Sequence, residues 1–295
     1  MHFLLALDES RYADAIVAWM ARFPHPVGSR LTLVHVLEPW DVPKTVAQAD
    51  RTALQRRRDA GAQSLLARAA HRLWNAYSGV ETIVLEGLPI YELLRLIHAK
   101  RPDVVVSGTR GLEAAKGLVL GSVSQRLLTY APCSAMLIPA KTKAARRMKV
   151  MLATDGSPGA EEAARFLTAL PDLDRITVLS AARPISPLDI ARGAGGDKRK
   201  ARELAAELMK SRLEAAQRAV ERTVKIASLS GATIKTSLVT GHPAEVIPRA
   251  ARRSRCDLLV IGSRGLTGRE ATALGSVSLA VAQQAPCPVL VVKPS

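Results

Sequence analysis

One glycine pattern occurs twice in this chain, and the duplication constrains the fold more than any other feature of the sequence. Each copy reads G-x-x-G, then nine residues, then G-S-V-S, and each follows a short apolar run typical of a buried strand. Gly108 of the first copy corresponds to Gly262 of the second, and the same shift of 154 positions relates Gly121 to Gly275. A repeat of this length predicts two similar domains in tandem.

The residue types in this pattern suit the binding of a phosphate. Glycine lets a ligand approach the backbone closely because it has no Cβ, and successive bare N–H groups form a concavity for anions. The G-S-V-S end is typical of a helix start, where free amides favour negative charge and serines cap the helix or bond a phosphate oxygen. Arg110 or Arg264 adds a positive charge within each copy. The alternative is a strand-to-helix turn whose glycines serve the backbone alone.

Strand and helix patterns alternate through both halves of the chain. Apolar runs at 2–7 and 150–154 begin the two halves, and each is followed by a helical pattern. The second strands are aliphatic at consecutive positions, as expected in a parallel sheet covered on both faces. We therefore predict an α/β protein with two tandem, doubly wound, five-stranded parallel sheets of Rossmann-like topology. The predicted domains are 1–140 and 149–295, joined by a basic linker at 141–148.

The last strand of each half is predicted at 135–138 and at 289–292. Both runs are apolar and would lie at a sheet edge, which must be covered. We predict that these two strands cover each other, so that the halves pack as a pseudo-dimer within one chain. Dimerisation of whole chains remains open.

Aspartates follow the first strand of each half, Asp8 in one and Asp155 in the other. Ligands of doubly wound sheets bind beyond the carboxyl ends of the strands, so each aspartate is predicted to lie at the same edge as a glycine loop. Its carboxylate would accept hydrogen bonds from a base or a ribose while the loop holds phosphates. A Mg²⁺ ion between the phosphates and this carboxylate fits the preference of that ion for oxygen ligands.

The charge balance favours anionic ligands but does not identify one. A net charge of +16 and a pI of about 10.4 attract polyanions, so non-specific binding of nucleic acid remains open. Few aromatic residues (Phe 3, Tyr 4, Trp 3) and no recognisable reading helix, RNP pattern or zinc knuckle argue against specific recognition. The sequence lacks a long apolar run and a signal-peptide pattern, which predicts a cytoplasmic protein without a membrane span.

Isolated candidates for catalysis or metal binding have simpler interpretations. Cys133, Cys256 and Cys287 show no metal-ligand spacing, although the first and third are equivalent in the repeat, and we predict buried small residues. His35 is predicted to be a core or rim histidine with a satisfied ring. No Walker Lys-Ser/Thr pair, serine elbow or His-Glu-x-x-His is present, so no dedicated catalytic constellation is predicted.

Both halves resemble domains of the universal stress protein family over nearly the whole chain. The resemblance rests on the repeated G-x-x-G, nine residues, G-S and on the aspartate after each first strand. It implies ATP binding, with base or ribose contacts in the first half from Asp8 and Val36 and in the second from Thr154 and Asp155. The phosphate contacts that it implies come from Gly108, Arg110, Gly111, Gly121, Ser122, Val123 and Ser124, and from Gly262, Arg264, Gly265, Gly275, Ser276, Val277 and Ser278.

The two halves differ at the predicted base and ribose contacts. Leu7-Asp8-Glu9 is bulkier and more acidic than Thr154-Asp155-Gly156, and Ala181 stands where the first half has Val36. The second half is therefore predicted to be the tighter phosphate site.

Three function classes remain open. The first is a cytoplasmic, ATP-binding stress or regulatory protein that acts on an unidentified protein partner. The second is a slow ATPase or autophosphorylating enzyme, and the third is a nucleotide-free scaffold that binds polyanions through its basic surface.

Overall fold

The computed structural model describes residues 1–294 apart from several short gaps. The gaps are 11, 40–44, 46, 110–119, 141, 143–144, 146, 186–189, 191–197 and 267–273. The chain divides into two compact units. Unit 1 comprises Met1–Arg146 and Pro288–Ser295, and unit 2 comprises Arg147–Cys287. Part of the predicted linker at 141–148 lies outside the described residues.

Unit 1 is a mostly parallel sheet with helices in the connections between its strands. Its strands are β1 (His2–Ala6), β2 (Arg30–Leu37), β3 (Gly79–Glu86), β4 (Val104–Gly108), β5 (Ser134–Ile138) and β10 (Val289–Val292). Their order is β3-β2-β1-β4-β5-β10, and every neighbouring pair is parallel except β5 and β10. The helices are α1 (Ala13–Met20), α2 (Gln48–Leu73), α3 (Pro89–Lys100) and α4 (Ser122–Tyr130).

Unit 2 repeats this arrangement with four parallel strands in its described residues. The strands are β6 (Met148–Ala153), β7 (Leu173–Ala182), β8 (Thr233–Thr240) and β9 (Leu258–Gly262), in the order β9-β6-β7-β8. The helices are α5 (Pro158–Thr168), α6 (Lys198–Ala227), α7 (Pro243–Ser254) and α8 (Ser276–Gln284). Helix α5 begins with a side-chain cap, because Ser157 accepts a hydrogen bond from the N–H of Ala160 at 3.3 Å, and Pro158 opens its first turn.

The core is formed where helices cover the central strands. In unit 1, Phe3, Leu4 and Leu5 of β1 are fully buried, because β1 lies between β2 and β4. The edge strands β3 and β8 instead alternate between exposed and half-buried residues. His35 is buried in β2 with its Nδ1 at 2.8 Å from the carbonyl oxygen of Leu7, so the prediction of a satisfied core or rim histidine is confirmed.

The predicted α/β fold is confirmed, and so is the pairing of the last strands. β10 runs antiparallel to β5, with Val289 opposite Leu137. The strand count differs from five in each sheet, because β10 belongs to unit 1. β10 is apolar and would expose this surface at an open sheet edge. Paired with β5 in the sheet of unit 1, it has all four residues buried. Within the described ranges, no helix is both long and apolar enough to span a bilayer.

Candidate functional site

The first turn of each unit places one carboxylate at the carboxyl end of its first strand. In unit 1, Asp8 lies just beyond β1, and its Oδ1 accepts a hydrogen bond from the N–H of Ser10 at 3.2 Å. In unit 2, Asp155 follows β6, and its Oδ1 accepts from the N–H of Ser157 at 3.0 Å. A bond from a side chain to the amide two residues on is an Asx turn. It orients both carboxylates at the sheet edge where the sequence predicts a ligand.

Each glycine loop is closed at its base by a backbone hydrogen bond. The N–H of Gly121 donates to the carbonyl of Thr109 at 2.8 Å, and the N–H of Gly275 donates to the carbonyl of Ser263 at the same distance. These positions are equivalent in the repeat (109 to 263, 121 to 275), so both loops leave and rejoin the fold at one point. The first loop's interior, with Arg110 and Gly111, lies outside the described residues, and the roles of those two residues stay predictions.

The helices α4 and α8 begin directly after the second glycine of their loop. Gly121 and Gly275 are the N-cap residues, and both have an extended backbone. The first intrahelical bonds run from the N–H groups of Gln125 and Leu279 to the carbonyls of these glycines. The helix therefore offers no acceptor to the three preceding amides, which form its positive end. Those amides belong to residues 122–124 and 276–278.

The serines of each G-S-V-S end lie in different environments. Ser124 and Ser278 are buried, and their hydroxyls donate to the carbonyl of the glycine that ends the strand, at 2.6 Å and 2.7 Å. This bond ties the first helical turn to the sheet. Ser122 and Ser276 are exposed, so their hydroxyls are the ones that face solvent at the helix start. The phosphate contacts predicted for all four serines stay predictions.

The strand-end glycine of unit 2 is required by close packing of backbone on backbone. A Cβ on Gly262 would lie 2.5 Å from the carbonyl carbon of Gly159 and 2.9 Å from the nitrogen of Ala160. A Cβ on Gly159 would in turn lie 2.8 Å from the carbonyl oxygen of Arg264. The start of α5 therefore rests directly on the glycine loop. Sequence reasoning missed Gly159, because nothing in its local pattern distinguishes it from an ordinary residue in the first turn of a helix.

The two predicted halves of the unit 2 site meet at Asp155. The N–H of Leu266, inside the glycine loop, donates to Oδ2 of Asp155 at 3.0 Å. A Cβ on Gly265 would lie 2.5 Å from the same oxygen, so a side chain at this position would displace the carboxylate. The first turn and the glycine loop thus assemble at one edge of the sheet, as predicted, although they are 111 positions apart in sequence.

The long helix α6 adds contacts that the sequence did not indicate. Arg222 donates from Nη2 to the carbonyl of Gly156 at 3.2 Å, next to Asp155. Gly156 has φ of +77°, a conformation that favours glycine. One residue further along α6, the hydroxyl of Thr223 lies 2.7 Å from that of Thr154. Both α6 residues therefore support the turn that carries the candidate ligand carboxylate.

We expect Thr223→Val to lower the free energy of unfolding by about 1–2 kcal/mol, because Thr223 is fully buried and Thr154 would lose a hydrogen-bond partner. Thr129→Val is the matched control, since Thr129 donates to the carbonyl four residues back, as Thr223 does, but at a half-buried position. Urea denaturation followed by circular dichroism measures both. Equal losses in the two variants would contradict a supporting role for the buried pair.

The remaining predicted residues lie near the same edges. Val36 and Ala181 occupy equivalent places one residue before the ends of β2 and β7. The first turn of unit 1 is more acidic than that of unit 2, because Glu9 follows Asp8. The side chain of Glu9 lies towards α2, where a Cβ on Gly61 would be 3.3 Å from its Oε1. Thr154 is buried, and Val123, Arg264 and Val277 are half-buried.

A cavity elsewhere in unit 1 is a weaker candidate. It has a volume of about 460 Å³ and lies at the amino ends of β1, β2 and β3. Its lining groups bond one another: Glu81 accepts from Lys100 at 2.7 Å and from Thr32 at 3.2 Å. The Lys100 ammonium lowers the pKa of the Glu81 carboxyl, so this acid stays ionised and paired. The carboxyl edge, with helix amides that lack helical acceptors, is the better ligand site.

The chemistry of the carboxyl edge is that of binding. Each unit presents a carboxylate acceptor and, at the end of a glycine-containing loop, a helix N-terminus. The described residues contain no group of three or more His, Cys, Asp or Glu side chains placed to hold a metal ion.

The fold and this edge define a tandem protein of the doubly wound α/β class. The sequence model of the universal stress protein family matches residues 1–139 and 146–293. The chain therefore belongs to the universal stress protein family.

Two relatives and one solved structure illustrate the similarity. A universal stress protein of Mycolicibacterium smegmatis is 30% identical over 99% of this chain and 96% of its own length. One from Methanocaldococcus jannaschii is 35% identical over 49% of this chain and 81% of its own length. The crystal structure of a universal stress protein from Archaeoglobus fulgidus has a TM-score of 0.65 and 18% identity, covering 100% of this chain and 96% of that one. It supports the fold of the whole chain.

Proposed function

We propose that this chain is a cytoplasmic, ATP-binding regulatory protein of the stress response, with the tighter nucleotide site in unit 2. The observation that carries the proposal is the meeting of Asp155 with the glycine loop at the N-terminus of α8. A carboxylate and an anion-binding helix start at one sheet edge match the two ends of a nucleotide, a hydroxyl-bearing ribose and a charged phosphate tail.

The phosphates would lie over the start of α8. Residues 276–278 offer three amides without helical acceptors, and the helix dipole adds partial positive charge there. The exposed Ser276 hydroxyl is placed to add one more donor. The +16 net charge of the chain would also draw a polyphosphate towards the protein.

The ribose or base would lie against Asp155. In the described arrangement, its Oδ2 accepts the amide of Leu266 in the glycine loop. An oxygen of the incoming phosphate tail can replace the Asp155 carboxylate as the acceptor of this N–H, because phosphate and carboxylate oxygens are both anionic acceptors. The Asp155 carboxylate would then be released to accept a ribose hydroxyl or to bind Mg²⁺ together with phosphate oxygens. The same reasoning applies in unit 1 to Asp8 and the start of α4, with Glu9 adding negative charge that opposes the phosphates.

Isothermal titration calorimetry of the full chain with Mg-ATP tests the proposal. We expect heat of binding at millimolar nucleotide or below, and the stoichiometry reports whether one or both units are occupied. A chain that binds polyphosphate or heparin but not ATP would instead be a polyanion scaffold. A radiolabel assay of phosphate release separates a binding protein from a slow ATPase.

We expect Asp155→Ala to weaken ATP binding at unit 2 by about tenfold or more, the equivalent of one lost charge-assisted hydrogen bond. Asp174→Ala is the control, because Asp174 lies near the amino end of β7, away from the candidate site. Calorimetric dissociation constants for both variants decide the point. Equal affinity in Asp155→Ala and the wild type would remove Asp155 from the site.

A further inference from the structure

Two cysteine sulfurs of unit 2 are in van der Waals contact. Cys256 follows the left-handed residue that ends α7 and precedes β9, and Cys287 lies in the Pro-Cys-Pro turn at 286–288. Their Sγ atoms are 3.6 Å apart, and the residues are only 9% and 7% exposed. A disulfide needs an S–S distance of about 2.0 Å. The two sulfurs would therefore have to approach each other by about 1.6 Å, in part through rotation of the two side chains.

The first half of the repeat can be compared with the second at the two cysteine positions. Cys287 corresponds to Cys133 in the first half, but Cys256 corresponds to Pro102 (102 to 256, the same shift of 154). Pro102 and Cys133 line one cavity of about 310 Å³ in unit 1. The fold thus brings these two positions together in both units, and unit 2 alone has a thiol at each of them.

We propose that Cys256 and Cys287 are a modification site, at which a peroxide converts the two thiols into a reversible intramolecular disulfide.

The contact also sets the order of the chemical steps. The hydrogen bond with Cys287 lowers the pKa of the Cys256 thiol, while the same contact and burial raise the pKa of Cys287. Cys256 is therefore the thiolate that attacks the peroxide. Its sulfur bonds to one peroxide oxygen, the O–O bond breaks, and the products are a sulfenic acid and a hydroxide that takes a proton from solvent.

Cys287 resolves this sulfenic acid. Its sulfur attacks the sulfur of Cys256, the S–S bond forms and the S–O bond breaks. The departing hydroxyl leaves as water with the proton of the Cys287 thiol. In total the two thiols lose two electrons and two protons, and the peroxide is reduced to two molecules of water.

The cross-link would enclose the candidate phosphate-binding segment. The two cysteines are 31 positions apart, and between them lie β9, the glycine loop and α8. Joining the ends of this segment restricts the unfolded chain, which stabilises the folded state. Oxidation is therefore expected to raise the melting temperature by about 5–10 °C.

Oxidation of the reduced, full-length chain with hydrogen peroxide tests the proposal. We expect the thiols titrated under denaturing conditions to fall from the three free cysteines to the single Cys133. Non-reducing digestion and mass spectrometry should show the peptides of Cys256 and Cys287 joined, about 2 Da lighter than the sum of their thiol forms. The rise in melting temperature should disappear on addition of a thiol reductant.

Variants assign the cross-link. Cys133→Ser should keep both the linked peptides and the thermal shift, and Cys287→Ser should lose both. Three persisting thiols, a cross-link through Cys133, or sulfinic acid at Cys256 without linkage would each overturn the proposal. The mass measurement on the wild type decides the matter even if the Cys287→Ser variant does not fold.

Discussion

Gly262→Ala is expected to lower the free energy of unfolding of unit 2 by about 3 kcal/mol, because the added Cβ enters a closely packed backbone contact. The nearest atoms are the carbonyl carbon and oxygen of Gly159, at 2.5 Å and 2.6 Å. They belong to the main chain at the start of α5 and cannot rotate away as a side chain can. The whole helix start must shift, which corresponds to a loss of about 6–12 °C in melting temperature. Differential scanning calorimetry of the full chain measures it.

Gly79→Ala is the matched control for this prediction. Gly79 also lies in a strand, at the start of β3, but a Cβ there has no atom within 4 Å. We expect a change within about 0.5 kcal/mol. If both variants had the melting temperature of the wild type, the contact between Gly262 and Gly159 would not limit the packing of unit 2.

Gly265→Val is expected to reduce ATP affinity at unit 2 by about a hundredfold while leaving the fold intact. Its Cβ would lie 2.5 Å from Oδ2 of Asp155, which is the mobile end of a side chain, so the carboxylate moves and the backbone need not. The displaced carboxylate and the valine methyl groups then occupy the space proposed for the nucleotide. Calorimetric titration with Mg-ATP measures the loss, and a thermal melt checks folding.

Leu266→Ala provides the control beside it. Leu266 is 71% exposed, and its contribution to the site is its backbone N–H, which alanine retains. ATP affinity should therefore stay close to that of the wild type. Comparable losses in Leu266→Ala and Gly265→Val would attribute the effect to general disturbance of the loop. Gly111→Val, at the matching position of the first half, reports how much of the binding belongs to unit 1.

The fold was largely predictable because its signals are local and repeated. Apolar runs followed by helical patterns placed the strands, and the same-edge rule for parallel strands placed Asp155 at the edge that carries the glycine loop. The contact with Leu266 in that loop, 111 positions away, is seen only in the structure. The pairing of β5 with β10 followed from two apolar edges that needed cover. Its assignment to the sheet of unit 1 was not foreseen, since a tandem repeat suggests that each half completes its own sheet.

Contacts from distant elements account for what the sequence could not indicate. Arg222 and Thr223 lie in a helix whose pattern is that of any amphipathic surface helix, and their contacts at Gly156 and Thr154 depend on how α6 packs. Cys256 and Cys287 show the same limit. In the sequence they are two cysteines 31 positions apart, and only the approach of the α7–β9 junction to the Pro-Cys-Pro turn brings their sulfurs together.

The antiparallel pairing of β5 and β10 determines when the sheet of unit 1 can be completed during synthesis. Ser134 and Lys293, joined by a backbone-to-hydroxyl hydrogen bond, are 159 positions apart. At translation speeds of about 5–20 residues per second, the ribosome needs roughly 8–30 s to make the intervening chain. The open edge of β5 is therefore a feature of every nascent molecule until its final strand emerges, and a premature stop codon late in the message would damage the unit that was made first.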